Sequence, residues 1–195
     1  MSAPPCWLIR HPRAEGAAGR CIGRTDSSVD TRKAKRVAHR VRALQRRESL
    51  PRVVWTSPLQ RAAAVGRVLR DWGWQHRIDP RLSELDFGRW DGRCCRDIEP
   101  AEVDAWVADF ADHAPGGGES LVALLARLRR FLDEHGHEPL LVVTHAGVMQ
   151  AAAWLHEATL PAARAWPPPP RHGAVLQLSP TQATGGGKKP KGLPR

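Results

Sequence analysis

Short apolar runs alternate with longer amphipathic segments along this chain. Four runs have the length and composition of buried strands, and they span residues 7–9, 53–55, 140–143 and 174–178. Helical patterns separate most of these runs, which is typical of parallel strands joined by crossover helices. The pattern therefore predicts an α/β fold: a three-layer sandwich with a mainly parallel central sheet and helices on both faces.

Three of the intervening segments have apolar residues at the spacing of a helix with one buried face. The apolar positions are Val37, Val41 and Leu44 in the first segment, Ala62, Val65, Leu69 and Trp72 in the second, and Leu121, Leu124, Leu128 and Phe131 in the third. Ser57 followed by Pro58 predicts the start of the second helix, because serine caps helix N-termini and proline fits the first turn. Gly73 and Gly136 predict the ends of the second and third helices.

A chain of 195 residues suits one medium-sized domain, which we assign to residues 1–180. Residues 181–195 consist largely of Gly, Lys and Pro with almost nothing to bury, so they are predicted to form a disordered basic tail. The sequence has no apolar run of about 18 residues, which predicts no membrane span. The first residues lack the charged and apolar regions of a secretion signal, so a cytoplasmic protein is expected.

The net charge of +10 is concentrated in the tail and in residues 32–52, which hold nine Lys or Arg residues. One interpretation is an anionic partner such as nucleic acid. The other is a solvated helix face followed by a disordered tail. The second is favoured because no nucleic-acid-binding motif accompanies the charge, so a nucleic-acid partner is not expected. The sequence leaves the choice between a monomer and a homodimer open.

Side chains that can carry positive charge follow three of the predicted strands. Arg10 and His11 follow the first strand, Arg61 comes shortly after the second, and His145 follows the third. Ligands of parallel α/β sheets bind at the carboxyl ends of strands, so neighbouring strands would bring these residues into one pocket. Two imidazoles and two guanidinium groups suit a phosphoryl group. Arginine binds its oxygens in pairs, and histidine can attack its phosphorus.

A histidine nucleophile also needs an acid that protonates the leaving oxygen. The segment LSELDFGRWDG, residues 82–92, supplies Glu84, Asp86 and Asp91, and spacing alone does not choose among them. The cysteines do not have the spacing of metal ligands, so neither a metal ion nor another cofactor is expected. His172, just before the last predicted strand, is left unassigned.

Six short motifs occur in an order that resembles the histidine phosphatase superfamily, also called the phosphoglycerate mutase-like family. The motifs are residues 10–11, 23–26, 57–61, 84–92, 117–120 and 144–148. Each motif alone is weakly specific, but the resemblance extends over residues 7–178, almost the whole predicted domain. Residues 21–30 and 84–92 are most similar to the alpha-ribazole phosphatase branch of cobalamin assembly.

The resemblance implies a role for each residue of the cluster. His11 would be the nucleophile, while Arg10 and Arg61 would bind the phosphoryl oxygens. His145 would be a second, cationic imidazole that stabilises charge on these oxygens. Glu84 would protonate the leaving oxygen and then deprotonate the water that hydrolyses the phosphohistidine. The implied reaction is metal-independent hydrolysis of a small-molecule phosphate ester, with alpha-ribazole 5′-phosphate as a candidate.

The resemblance also indicates a substrate-binding loop and departures from the family pattern. Arg24 and Thr25 match the loop that approaches the substrate in relatives. Pro12 stands where the family usually has glycine, so a backbone N–H is missing beside the nucleophile. Gln150 stands where arginine is common, which indicates a changed contact either with the leaving group or with the residues that support the site.

Three other functions stay open at this point. A phosphoglycerate mutase would use the same core residues, but the short segment between Glu84 and His145 gives little cover to keep water from a phosphohistidine. A polyanion-binding protein would use the basic helix and the tail. A catalytically silent relative would bind phosphorylated ligands without hydrolysing them.

Overall fold

The computed structural model describes residues 4–157, 159–160 and 162–178. Its strands are β1 (Cys6–Arg10), β2 (Val53–Thr56), β3 (Gln75–Ile78), β4 (Leu140–Thr144) and β5 (Val175–Leu178). Its α-helices are α1 (Thr31–Arg47), α2 (Gln60–Asp71), α3 (Pro100–Ala108), α4 (Leu121–His135) and α5 (Ala146–Ala152). The five strands form one sheet in the order β3-β2-β4-β1-β5.

Helices cover both faces of the sheet, so the predicted three-layer α/β sandwich is confirmed. Helices α1 and α2 pack on one face with Ile9 and Val143, and α4 and α5 pack on the other face with Leu8 and Val142. Successive residues of one strand face opposite layers, which explains why the buried strands are continuous apolar runs. Strands β1 to β4 are parallel and β5 is antiparallel to β1, so the sheet is mainly parallel, as predicted.

The edge strand β3 is not predicted by the apolar pattern. It consists of Gln75, His76, Arg77 and Ile78, and none of these side chains is fully buried. At the edge of the sheet it pairs only with β2, and backbone hydrogen bonds rather than apolar burial define it. A strand of this kind has no hydrophobic alternation for a sequence pattern to detect.

Helix α2 begins at Gln60, later than predicted. The assignment of Ser57 as its cap is wrong, because Leu59 is the N-cap residue and makes no side-chain cap bond. The carboxylate of Asp26 instead accepts a hydrogen bond from the N–H of Gln60 at 2.6 Å, so a distant loop caps the helix. Arg61 nevertheless lies in the first turn, as predicted.

The predicted helix ends are confirmed. Gly73 has a φ of 81° just after α2, a conformation that favours glycine, and Gly136 is the C-cap residue of α4. None of the helices in the described part of the chain is long and apolar enough to cross a membrane. The predicted basic tail, residues 181–195, lies outside the described residues.

Candidate active site

Three adjacent strands bring the cationic cluster together. Strand β4 lies between β2 and β1, and Arg10 is paired with Thr144 in the parallel register. The ladder continues one residue further, since the N–H of His11 donates to the Thr144 carbonyl at 2.9 Å. His11 and His145 therefore leave the sheet side by side, with ring centroids 4.9 Å apart. The three strands are neighbours, which is the condition under which the sequence predicts a shared pocket.

A pocket of about 300 Å³ opens at this edge of the sheet. Four of the predicted site residues, Arg10, His11, Arg61 and Glu84, line it. His145 is fully buried beside His11. The structure thus brings together all five residues to which the resemblance assigns chemistry.

The contacts of His11 determine its tautomer. Its Nδ1 lies 2.6 Å from the carbonyl oxygen of Pro12, and a carbonyl can only accept, so Nδ1 carries the proton. The lone pair of the neutral ring is then on Nε2. Burial, followed by the positive charge of Arg61, lowers the pKa of His11 to about 3. The imidazole is therefore neutral at physiological pH, and the carbonyl of Pro12 orients it.

His145 has no exposed surface, and its Nε2 lies 2.9 Å from the hydroxyl of Ser57. Burial, with the positive charge of Arg61 adding to it, holds the pKa of His145 well below its usual range. Without a bound phosphoryl group this shift favours the neutral ring, so a cationic His145 stays a prediction for the complex with substrate. A phosphoryl dianion beside the ring would have the opposite effect and favour the protonated form.

Backbone carbonyls hold the two arginines. Arg61 is almost fully buried and donates to the carbonyls of Gly23 at 2.6 Å and Thr25 at 2.7 Å. Arg10 donates to the carbonyl of Pro170, and its buried Nε has no hydrogen-bond partner among the described residues. Because carbonyl oxygens accept hydrogen bonds without neutralising the guanidinium charge, both side chains remain able to attract an anion.

The structure separates the three candidate carboxyl groups by location. Asp91 accepts hydrogen bonds from the N–H groups of Gly23 at 3.1 Å and Thr25 at 3.0 Å, and from the Thr25 hydroxyl at 2.6 Å. Burial acts to raise the pKa of Asp91, but these hydrogen bonds outweigh it and lower the pKa. Asp86 accepts a backbone N–H at 2.8 Å in the following turn. Of the three, Glu84 lines the pocket.

Glu84 is held in place from two directions. Its Oε2 accepts from the N–H of Gly147 in α5 at 3.1 Å, and its Oε1 accepts from the N–H of Leu85 at 3.0 Å. Buried Arg127 of α4 donates to the backbone carbonyl of Glu84 at 3.1 Å and pairs with Glu119 at 2.7 Å. Sequence reasoning missed this ion pair, because no local pattern links α4 to the segment that carries the acid.

The two predicted substrate-loop residues, Arg24 and Thr25, are not part of the pocket lining. The hydroxyl of Thr25 binds Asp91 and its carbonyl binds Arg61. The guanidinium of Arg24 lies 3.9 Å from the carboxylate of Glu119. Direct contact of these two residues with a substrate stays a prediction.

Backbone carbonyls of the proline-rich segment, residues 166–170, accept hydrogen bonds from two side chains near the site. Gln150 donates to the carbonyl of Pro167, and Arg10 donates to that of Pro170. Gln150 therefore ties α5 to this segment, and it is not part of the pocket lining. The glutamine that replaces the family's usual arginine thus makes a structural hydrogen bond in this chain.

His172 completes the pocket, although sequence reasoning left it unassigned. Its ring centroid lies 5.4 Å from that of His11, and its Nδ1 lies 3.2 Å from the His11 carbonyl. Burial, followed by the charge of Arg10, lowers the pKa of His172. The available signal was its position just before β5, the strand that pairs with β1 beside the nucleophile.

Replacing Gly147 by alanine is expected to lower phosphatase turnover by about 100-fold, because the new Cβ would overlap Oε1 of Glu84 and displace the carboxyl group. Folding should be retained, since alanine is a better helix former than glycine. The matched control is Gly73→Ala, where an added Cβ meets nothing within 4 Å but φ is 81°. This control should lose stability and keep activity. Wild-type turnover in Gly147→Ala would show that this position of Glu84 is not needed.

The buried histidines predict lower stability in acid. The folded-state pKa of His11 is about 3, against about 6.5 in the unfolded chain, so the unfolded state binds more protons between these values. The free energy of unfolding should therefore fall as pH drops below about 6.5, by up to about 1.4 kcal/mol per pH unit for this group. Urea denaturation at pH 7, 6 and 5 measures this free energy of unfolding. His11→Gln should have a shallower dependence, whereas the exposed control His39→Gln should match the wild type. Equal slopes for His11→Gln and the wild type would contradict the prediction.

Across residues 4–157, 159–160 and 162–178, no group of three or more His, Cys, Asp or Glu side chains is arranged to hold a metal ion. The charged groups around the pocket are instead mostly guanidinium groups, namely those of Arg10, Arg13, Arg20 and Arg61. Guanidinium groups bind phosphoryl oxygens directly, so the site can stabilise a phosphoryl group with its own side chains.

Comparison with known proteins identifies relatives over most of the chain. The family model of the histidine phosphatase superfamily, branch 1, matches residues 6–186. An adenosylcobalamin/alpha-ribazole phosphatase of Salmonella typhimurium is 31% identical over 169 residues, covering 82% of each chain. A probable phosphoglycerate mutase of Yersinia enterocolitica is 33% identical over 150 residues, covering 70% of this chain and 67% of that protein. A solved mycobacterial glucosyl-3-phosphoglycerate phosphatase is similar with a TM-score of 0.72 and 28% identity, covering 91% of this chain and 90% of that one.

Proposed function

The chain belongs to the histidine phosphatase superfamily, branch 1, and from that premise we propose that it is a metal-independent phosphomonoesterase that works through a phosphohistidine on His11. Relatives that are named as phosphatases support phosphate-ester hydrolysis in general. The pocket of about 300 Å³ suits a small-molecule ester rather than a macromolecular one.

The tautomer of His11 is the observation that supports this proposal most directly. The hydrogen bond from Nδ1 to the Pro12 carbonyl leaves the lone pair on Nε2, and the low pKa keeps the ring unprotonated. A neutral imidazole is the form that can attack phosphorus. Arg10 and Arg61 line the same pocket and supply positive charge for the phosphoryl oxygens.

In the first step of the proposed reaction, the Nε2 lone pair of His11 forms a bond to phosphorus while the ester P–O bond breaks. The electron pair of that bond leaves with the ester oxygen, which takes a proton from the carboxyl group of Glu84. Arg10 and Arg61 bind the phosphoryl oxygens during this transfer. His145 becomes protonated or donates a hydrogen bond as the dianion approaches, and so stabilises the same charge.

In the second step, the carboxylate of Glu84 takes a proton from a water molecule, and the water oxygen bonds to phosphorus. The P–N bond breaks and its electron pair returns to Nε2 of His11. Inorganic phosphate leaves and Glu84 is again protonated. The net change is one ester and one water converted into one alcohol and one phosphate.

The candidate substrate is alpha-ribazole 5′-phosphate. The 31% identity to the Salmonella phosphatase and the motifs at residues 21–30 and 84–92 support it. The residues proposed to bind the phosphoryl group would meet the same group in every phosphomonoester, so they do not distinguish one leaving group from another. The substrate therefore has to be measured against other phosphomonoesters.

Phosphoryl transfer to a phosphoglycerate is a second candidate, favoured by the 33% identity to the Yersinia protein. A mutase must keep its phosphohistidine from water. In this chain, exposed Arg13 and Arg20 form part of the pocket wall, which favours access of water and hence hydrolysis. Rapid loss of phosphate from isolated phosphoenzyme supports the phosphatase, whereas transfer to 2- or 3-phosphoglycerate supports the mutase.

The test is phosphate release by the purified protein in EDTA. The esters are 4-nitrophenyl phosphate, alpha-ribazole 5′-phosphate, phosphoglycerates and sugar phosphates. Hydrolysis that is unaffected by EDTA is expected, and the ester with the highest kcat/KM identifies the substrate class. No release from any ester would contradict the proposal, and so would activity that EDTA abolishes and a divalent metal ion restores.

A further inference from the structure

The residues at the base of the pocket and those in its wall come from different segments of the chain. Arg10, His11, Arg61 and Glu84 form the base, and they come from the carboxyl edge of the sheet and the segment after β3. Most of the wall comes from a single loop, residues 13–22, between β1 and α1. This loop contributes six of the lining residues, which are Arg13, Ala14, Ala17, Ala18, Arg20 and Ile22. A leaving group attached to a phosphoryl group in the base would therefore contact this loop.

The wall combines short apolar side chains with two guanidinium groups. Both arginines are exposed, and neither makes an ion pair within the part of the chain that the structure describes. Arg20 donates to the backbone carbonyl of Gly92 at 2.7 Å, which steadies its side chain without neutralising it. The positive charge of Arg13 also contributes, after burial and Arg10, to the lowered pKa of His172.

Nearby carboxylates act on the base rather than on the wall. Burial lowers the pKa of Arg61, but the charge of Glu84 opposes this shift, and the charges of Asp91 and Asp26 add to the opposition. These carboxylates compensate part of the charge at the base, whereas neither Arg13 nor Arg20 has a carboxylate partner among the described residues.

We propose that Arg13 and Arg20 form a subsite for a second anionic group, carried by the leaving group of the substrate. This inference rests on the proposed phosphatase function and narrows its substrate class to esters whose leaving group is itself negatively charged. It therefore disfavours alpha-ribazole 5′-phosphate, whose leaving nucleoside has no anionic group. A carboxylate or a second phosphoryl group has the required chemistry, because both accept paired hydrogen bonds from guanidinium groups. The short side chains of Ala14, Ala17 and Ala18 leave room for a small aliphatic link between the two anions.

The proposal discriminates between substrates that differ only in charge. 3-Phosphoglycerate and glycerol 3-phosphate share the same carbon chain, and the first has a carboxylate where the second has a hydroxymethyl group. The expected result is a kcat/KM for 3-phosphoglycerate about 10-fold to 100-fold higher. A second pair, fructose 1,6-bisphosphate and fructose 6-phosphate, tests a phosphoryl group as the second anion. A preference within the second pair alone identifies that group and not a carboxylate.

Substitution of the two arginines in the wall tests whether they cause the preference for the doubly anionic ester. Arg13→Ala and Arg20→Ala are each expected to lower kcat/KM for the doubly anionic ester by about 10-fold. Both should change kcat/KM for its singly charged partner by less than about threefold, because the base is untouched. Arg96→Ala is the matched control, since Arg96 is highly exposed and is not part of the pocket lining. It should leave both substrates unchanged.

Two outcomes would overturn the subsite and leave the phosphatase proposal intact. One is equal kcat/KM within both substrate pairs while 4-nitrophenyl phosphate is hydrolysed. The other is an equal loss on both members of a pair in the variants, which would place Arg13 and Arg20 on the reacting phosphoryl group. Absence of phosphate release from every ester, including 4-nitrophenyl phosphate, would instead overturn the phosphatase function and the subsite with it.

Discussion

Replacing His11 by alanine is expected to reduce phosphate release from any phosphomonoester by at least about 1,000-fold. The reason is that alanine provides no nitrogen to form the covalent intermediate, and water would have to attack the ester directly. The remaining cluster, including Arg10 and Arg61, would still bind the phosphoryl group. KM should therefore change much less than kcat. Steady-state kinetics with 4-nitrophenyl phosphate measure both.

A trapping experiment separates loss of the nucleophile from loss of the fold. Wild-type protein quenched during turnover of a ³²P-labelled ester should retain label that is stable in base and labile in acid, as expected of a phosphohistidine. His11→Ala should retain none. His39→Ala, at an exposed position on α1, is the control and should behave as the wild type in both assays. Turnover or labelling that survives in His11→Ala would assign the nucleophile to another residue.

Replacing Glu84 by glutamine is expected to lower kcat for alkyl phosphates by about 1,000-fold, the upper part of the range for general acid–base catalysis. Glutamine keeps the size of the side chain and can still accept from the N–H of Gly147, but it cannot give a proton to the leaving oxygen. The loss should therefore depend on the leaving group. For 4-nitrophenyl phosphate, whose leaving oxygen is weakly basic, formation of the phosphoenzyme should be affected much less.

Single-turnover measurements on the two classes of ester test this dependence. Asp86→Asn is the matched control, because Asp86 is an acid of the same segment that accepts a backbone N–H outside the pocket. It should alter neither ester's chemical step. An equal loss for alkyl and aryl phosphates in Glu84→Gln would contradict the role of Glu84 as the acid. A full loss in Asp86→Asn with retained folding would transfer the role to Asp86.

The predictable parts of this fold are those that bury apolar surface. Leu8 and Ile9 face opposite layers of the sandwich, and their burial on both sides is what makes β1 a continuous apolar run. Strand β3 has no such burial, so its polar sequence does not distinguish it from a loop. The start of α2 depends on Asp26, a residue far away in sequence, and therefore no local capping pattern could locate it.

The candidate site likewise has features that the sequence predicts and features that it does not. The residue types after the three strands indicate phosphoryl chemistry, because parallel strands end at one edge and bring His11, Arg61 and His145 there. The ionisation of these groups does not follow from residue type. The sequence predicts a cationic His145 beside a phosphoryl group, whereas complete burial near Arg61 lowers the pKa of the ring before such a group binds.

The sequence alone determined the α/β sandwich, the family and the set of cationic residues, because periodic burial and short ordered motifs are local properties. The tertiary structure alone decided which carboxyl group lines the pocket, which nitrogen of His11 holds the lone pair, and which loop forms the wall. Those properties depend on contacts between distant segments, such as Glu84 with Gly147 and Asp91 with Thr25. The spacing of residues along the chain does not predict such contacts, because they form only when the sheet and its helices bring the segments together.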